Sequence, residues 1–347
     1  MRSFQHPQTL NPVPGDIVVT LRRIDRAAGA EGRYADQLPQ LLNALREQSR
    51  VESITASSAI EGVVVDDVRV PKLVSGAPGV LRSRNEAEFA GYSLALDYLN
   101  QCDPGELTVG LVLHLHRLLF SLSEGSGGHF KTNDNLVVDL LPDGSRKVRF
   151  EPVSATETVF FMKELVTRTV AALEPDGPHP LIVSAAFALD FLCIHPFEDG
   201  NGRVARLVTS YLMGRTGYGV GRYVSLEQLI YDAKDEYYAT LGASTIGWFD
   251  DGHHDVWPWV SFLLGRVSEA YDRLEERIAA GVSGGTKQDR VRDFVMLHAS
   301  VEFTISDIRR AVPGVSDNTI RIVLAALKEK GSITNDGSGR SASWRRR

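Results

Sequence analysis

Apolar residues recur every three or four positions through most of the chain, and that spacing predicts amphipathic helices. The predicted helices run through "YADQLPQLLNALREQSRVESITASSAIEG", stopped by Gly62, then over 85–101 and 108–122 and through "TETVFFMKELVTRTVAAL". Residues 179–194 are apolar almost all round, with Pro180 at a first helical position, so this helix belongs at the centre. Further helices follow through "GRVARLVTSYLMG", ended by Gly214, "SLEQLIYDAKDEYYATLGAS" read as one helix, and "VWPWVSFLLGRVSEAYDRLEERIAA". Strand-like patterning is sparse. The Pro-containing first 30 residues hold one expected strand, "DIVVTLRRID", and 135–153 reads as a hairpin about a Pro-Asp-Gly turn. No βαβ alternation is present, so the expected class is mainly α with one hairpin.

The pattern divides the chain. We expect an N-terminal region over 1–84 with a helix over about 37–62, a helical core over 85–280, a linker over 281–287 ("GVSGGTK") and a small unit over 288–347. Charge agrees with that division. The net charge is −6, yet residues 286–347 carry 12 Lys and Arg against 7 Asp and Glu, or +5, leaving about −11 on the rest. A mildly basic unit on an acidic body suggests two modules with different partners. Apolar content of 43% and charged content of 24% fit a soluble globular protein. The longest apolar stretch, 181–189, is broken by Asp190, well short of the roughly 18 residues of a membrane span. The first residues lack the apolar core of a secretory signal, so the expected compartment is the cytoplasm and no membrane partner is expected. Cys102 and Cys193 read as two reduced thiols rather than a disulfide or metal site.

The chemistry concentrates in "HPFEDGNGRVAR", residues 195–206. An ordinary charged loop, a metal site and a phosphate cradle are the three readings of such a cluster. The loop precedes a helix, whose first turn offers unpaired N–H groups and a positive dipole end. Gly200 and Gly202 let those groups turn inward and let a phosphate approach, and Asn201 tolerates left-handed geometry and can add a donor. Arg203 and Arg206, three residues apart, sit near one face of that turn and suit the oxygens of a di- or triphosphate. Asp199 is a hard oxygen ligand of the kind Mg²⁺ takes. His195 follows a buried helix and can accept a proton near neutral pH. The cradle is the reading that uses every one of these groups.

"HPFEDGNGRVAR" resembles the motif HPFx[D/E]GNGRxxR of the Fic family, with every fixed position present. The hairpin before it, "YVSLEQLIYDAKDEYYATL" after it and "WPWVSFLL" also recur in order, so the likeness covers roughly 40–275. It implies a helical bundle with a β-hairpin flap, and transfer of AMP from ATP to a Ser, Thr or Tyr hydroxyl of a target protein. By position, His195 would be the base and Asp199 would hold Mg²⁺. Gly200, Asn201 and Gly202 would line the cradle, Arg203 and Arg206 would meet the β- and γ-phosphates, and Tyr237 and Tyr238 would lie near the adenine. The intact glycine pattern favours nucleotidyl transfer over the phosphate transfer of the kinase-like branch.

The likeness extends to "SSAIEG" (57–62), which by itself is only a helix end. In such a chain it resembles the inhibitory motif [S/T]xxxE[G/N]. Ser57 and Glu61 share a helical face, and Glu61 would pair with Arg206 in place of a γ-phosphate. The 135–150 flap would pair with an extended target segment by strand addition, self-modification included, with Lys131 and the "DGSRK" turn tuning partner choice. Residues 288–347 give three helical signals and two strands about a glycine turn, the pattern of a winged helix-turn-helix. Asn318, Arg321 and Arg340 would then face DNA, unless the unit serves dimerisation. Two other activities follow from the same parts: a DNA-binding regulator with a nucleotide-sensing body, and removal of AMP with Glu61 positioning water.

Overall fold

In the computed structural model, every side chain from Leu181 to Ile194 is buried, and the rest of the body is arranged around that helix. Described are residues 2–6, 9–76, 79, 81–102, 104–123, 127–140, 146–250, 252–282, 287–299, 301–312, 314–336 and 343–346. In chain order the body comprises α1 (Gly15–Gln37), α2 (Pro39–Ile60), α3 (Val70–Val74), α4 (Arg84–Gln101), α5 (Val109–Phe120), strands β1 (Val137–Leu140) and β2 (Arg146–Phe150), α6 (Ala155–Ala172), α7 (Pro180–Ile194), α8 (Asn201–Arg215), α9 (Leu226–Asp232), α10 (Lys234–Thr245) and α11 (Trp257–Val282). The C-terminal unit adds α12 (Lys287–Asp293), β3 (Glu302–Thr304), α13 (Ile305–Ala311), α14 (Asp317–Glu329), β4 (Ile333–Asp336) and β5 (Ser343–Arg346).

Local chemistry sets many of the boundaries. Ser83 and Thr108 cap α4 and α5 by accepting from the N–H groups of Glu86 and Leu111. Pro39 and Pro180 stand in the first turns of α2 and α7, where a missing N–H breaks no helical bond. The expected strand "DIVVTLRRID" is part of α1. Its β-branched run favours a strand locally, but Ile17, Leu21 and Ile24 form one helical face that is buried and α1 packs along α11. The expected single helix after Ser225 is two, α9 and α10, meeting at Ala233. The short α3 carried no sequence signal.

The hairpin β1–β2 is antiparallel, pairing Val138 with Val148, and its turn lies outside the described residues. The N-terminal turn, Arg2–Phe4, is pinned to the centre of the body. Ser3 donates from its N–H and its hydroxyl to the buried Asp190 of α7, which also accepts from Trp248 Nε1 at 2.6 Å. Burial raises the Asp190 carboxyl to about 6. The C-terminal unit has its own core, built from Val291, Phe303, Ile308, Ile320, Leu324 and Ile333 among others. Its three strands form one antiparallel sheet in the order β3-β5-β4, and α13 lies against α2. The expected linker falls mostly outside the described residues. Among those described, no helix is long and apolar enough to cross a membrane.

Candidate functional site

Helix α7 ends in an unusual backbone turn. His195 adopts φ 50° and ψ 61°, the single non-glycine residue with positive φ among those described. Such a conformation persists only where its surroundings over-determine it, and here they do. Lys131 donates from its backbone N–H to Pro196 O at 2.9 Å and from Nζ to Ile194 O at 3.3 Å. Asn135 Nδ2 donates to Phe197 O at 3.0 Å. Asn201 closes the loop on itself, accepting from Phe197 N–H at 2.9 Å and donating to Phe197 O at 2.8 Å. His116 of α5 stacks on Phe197 at 3.7 Å and reaches Asp199 O through Nε2 at 3.2 Å, while its Nδ1 accepts from Gly128 N–H. These two contacts require the neutral tautomer protonated on Nε2, and burial holds His116 down at about 4.

His195 Nδ1 lies 3.2 Å from Leu192 O, to which it can only donate, so the neutral ring presents Nε2 as an acceptor. Burial, aided by the positive charge of Lys131, lowers its pKa to about 4. Phe150 of β2 meets the ring edge-on with centroids 6.1 Å apart, which brings the hairpin over the histidine.

Beyond the loop, Gly200 takes φ +80° as the N-cap of α8, and a Cβ there would collide with Leu119 and Phe120. Gly202 matters for a different reason: a Cβ would overlap Glu61 Oε1 and come within 3.1 Å of Arg206 Nη1. The Glu61 carboxylate therefore rests on the first turn of α8, where an anionic ligand would sit. Arg206 Nη2 donates to Glu61 Oε1 and to Ser57 O, each at 2.9 Å, and Nε donates to Ser57 Oγ at 2.9 Å. The third nitrogen, Nη1, is buried beside Gly202 with no protein partner. A guanidinium with one donor unspent on the cradle side fits a phosphate oxygen.

Arg203, expected as a phosphate-facing fork, is more enclosed than Arg206, and its Nε and Nη1 are also buried without a hydrogen-bond partner. Its side chain is 1% exposed and ion-paired at 2.8 Å with Glu88 of α4, itself 4% exposed. Glu88 also takes Arg84 Nε at 2.5 Å, and Arg84 Nη2 reaches Asp199 Oδ2 at 3.0 Å. Asp199 is about half exposed and lies 3.5 Å from Arg203. A single exposed carboxylate suits Mg²⁺, which keeps water and phosphate oxygens as its other ligands. No group of three or more ligating side chains occurs among the described residues.

The other expected site residues lie as follows. Ser57 and Glu61 meet Arg206, as above. Asn201 spends Oδ1 and one Nδ2 hydrogen on Phe197, so it shapes the loop. Tyr237 is buried against Trp259 and Phe262, and its neighbour Tyr238 is half-buried. Lys131 is 4% exposed, with its backbone N–H and Nζ spent on Pro196 O, Ile194 O and Asn135. The "DGSRK" turn lies largely outside the described residues. Asn318 and Arg321 are exposed on α14, and Arg340 lies outside the described residues. Sequence reasoning missed His116, Glu88, Arg84 and Asn135. The i,i+4 spacings Arg84–Glu88 and Lys131–Asn135 were the available signals.

Residues 106–213 match the Fic/DOC family model. The curated protein adenylyltransferase Fic of Drosophila ananassae is 29% identical over 134 residues, 38% of this chain and 25% of that protein. Its counterpart from Drosophila erecta is 31% identical over the same length and the same shares. The chain thus spans about a quarter of the length of the curated relatives it matches. A Fic family protein from Desulfovibrio desulfuricans superposes with a TM-score of 0.63 at 22% identity, covering 97% of this chain and 98% of that one. A Fic domain containing signaling protein from Bacteroides thetaiotaomicron gives 0.60 at 20% identity, covering 74% and 97%. Residues 106–213 are thus similar to the Fic/DOC family, and the mainly helical fold is shared with these structures.

Proposed function

We propose that the protein is an autoinhibited AMP-transferase that moves AMP from ATP to a hydroxyl of a target protein. The observation that carries this reading is the acceptor nitrogen of a neutral His195 beside a helix N-terminus whose arginine is already engaged by a carboxylate. In the proposed reaction a Ser, Thr or Tyr hydroxyl attacks the α-phosphorus of ATP. The new O–P bond forms as the bond to pyrophosphate breaks, and the hydroxyl proton passes to His195 Nε2. The α8 N–H groups and Arg206 stabilise the charge that gathers on the phosphate oxygens. Asp199 would hold Mg²⁺, which supplies further charge neutralisation when bound. Arg203 keeps Asp199 and the start of α8 in register from beneath.

Glu61 is the proposed brake. While its carboxylate occupies Arg206 and the first turn of α8, a triphosphate tail cannot seat there, and a displacement of about 1 Å at the reacting phosphorus costs on the order of 100-fold. The same supports extend to the remaining parts: the hairpin beside His195 receives the target strand, and the chain's own hydroxyls are acceptors too. The C-terminal unit, with helices followed by a small sheet and Asn318 and Arg321 exposed, is read as a winged helix-turn-helix that binds duplex DNA. A salt-dependent mobility shift tests that assignment.

The deciding experiment incubates the Glu61→Gly protein, alone and combined with His195→Ala, with labelled ATP and Mg²⁺. Label should enter protein in the first and be lost in the second, with nucleotide binding retained in both. Absence of label in Glu61→Gly, or equal label in both, overturns the assignment.

A further inference from the structure

The transfer reading gives a role to His195 but none to the segment that fixes its position. His195 holds a left-handed conformation that an L-residue leaves when unsupported, because Cβ crowds the following carbonyl. Three carbonyls around it, those of Ile194, Pro196 and Phe197, each accept from Lys131 or Asn135, and Phe197 O takes Asn201 Nδ2 as well. The two are themselves joined, Lys131 Nζ donating to Asn135 Oδ1 at 2.7 Å. Lys131 is 4% exposed, so its ammonium is spent on these contacts and not on solvent. Asn135 stands two residues before β1, whose partner strand brings Phe150 against the His195 ring.

We propose that Lys131 and Asn135 form a positioning clamp for the transfer reaction, holding His195 in its left-handed pose and tying the hairpin to the base. Resting on the function proposed above, this assigns the clamp no contact with substrate. It makes hairpin and base one mechanical unit: a target strand that aligns β1 and β2 also tightens the bonds that aim Nε2. The charged and titratable groups facing the His195 ring are Lys131 from the pre-hairpin segment, Glu61 from the end of α2 and Asp199 from the loop. Only Lys131 among them is positive, so its removal pushes the ring's titration upward.

The test uses the full chain carrying Glu61→Gly, with Lys131→Met, Lys131→Arg or Asn135→Ala added. Three quantities are read: MgATP affinity, self-labelling from labelled ATP, and the His195 ring titration by NMR, assigned by its absence in His195→Gln. Lys131→Met should lower the labelling rate on the order of 100-fold, with MgATP affinity held within about threefold of the parent. Its His195 titration should rise by about half a unit or more. Lys131→Arg, which keeps the charge and the donors, should restore most of the rate and the parental titration. Asn135→Ala, a milder change at a half-buried residue, should give an intermediate loss. An unchanged rate and titration in Lys131→Met, or loss of nucleotide binding together with activity, would overturn the clamp. Should the parent itself transfer no AMP, the proposed function falls, and the clamp is then decided by the His195 ring resonances in Asn135→Ala, which removes no charge: they shift if the pose is released, and unchanged resonances overturn the clamp.

Discussion

Helix α8 carries two arginines three residues apart, and its two faces treat them differently. Toward α4, Arg203 is sealed at 1% exposure against Glu88, itself at 4%. Toward α2, Arg206 is nearly as buried at 6%, but its carboxylate partner Glu61 is 30% exposed and sits at the last turn of a helix end. The motif writes the same residue type twice, and the partner's burial separates the roles. A pair closed on both sides holds structure, because neither charge can regain water without the other. A pair open on one side is exchangeable, because an incoming anion can replace the exposed carboxylate while the guanidinium stays put. The seam behind Arg206 suits that exchange. Ser49, Ser53 and Ser57 of α2 hydrogen-bond Gly221 O, Glu227 and Arg206, so polar groups, and not interlocked apolar side chains, line part of the α2 contact.

The largest effect should come from breaking the closed face. Glu88→Gln leaves Arg203 buried without a full counter-charge, which should reduce stability by about 3 kcal/mol. Urea unfolding measures it. Glu61→Gln removes a partly exposed partner while Arg206 keeps its Ser57 bonds, and should reduce stability by about 1 kcal/mol or less. Equal losses in the two variants would erase the distinction between the faces.

The open face should answer in activity. Glu61→Gly is expected to raise AMP transfer, self-modification included, by tenfold or more, or about 1.4 kcal/mol of barrier. Labelled ATP and gel analysis read it. An unchanged rate would remove Glu61 as the brake and leave the two pairs alike.

How much of this could be read beforehand depended on distance along the chain. The residues of 195–206 declared themselves because base, acid, glycines and arginines are adjacent, and local spacing fixed which of them share a helical turn. The Ser57–Glu61 face was legible for the same reason. Arg203 was not: its partner Glu88 lies 115 positions away, and nothing in an exposed-looking "GRVAR" says that α4 will close over it. The loop-closing role of Asn201 was hidden because its acceptor and donor partners are both backbone atoms of Phe197. Loop-closing backbone bonds leave little trace in residue identity. The error over "DIVVTLRRID" has another source. Its β-branched content outweighed the Ile17, Leu21, Ile24 spacing, and packing on α11 decides in favour of the spacing.

Acid probes the loop that joins the two faces. His116 and His195 both titrate near 4 in the folded protein against about 6.5 unfolded. Between those values the unfolded chain binds two protons that the native one refuses, so stability falls as pH drops through this window. Asp190 acts oppositely. Its carboxyl sits near 6 when folded, so over most of the same range the native state holds a proton that the unfolded state lacks. Among these three groups the balance is about one proton, a loss near 1.4 kcal/mol for each pH unit between about 6 and 4, to which the lowered His254 adds and which the raised Glu31 offsets. Urea titrations at stepped pH should give that slope. His116→Gln should flatten it by taking away one of the two protons, and a stability that climbs on acidification would show that His116 and His195 are not held neutral by burial.

The smallest expected effect is the one most specific to the open face. Gly202 lies in the first turn of α8, where alanine is ordinarily preferred over glycine by a few tenths to about 1 kcal/mol. Its backbone is not left-handed, so conformation is no obstacle. The obstacle is Glu61, whose Oε1 occupies the space a Cβ would need, with Arg206 Nη1 at 3.1 Å behind it. With Glu61 present, Gly202→Ala must push the carboxylate off its site and should destabilise. In the Glu61→Gly background the same change meets no carboxylate, and helix propensity should make it neutral or slightly stabilising. That reversal of sign is a coupling energy, read by a double-mutant cycle of unfolding free energies. A coupling indistinguishable from zero would mean that the carboxylate already spends its time away from α8, and that the open face is open in fact as well as in geometry.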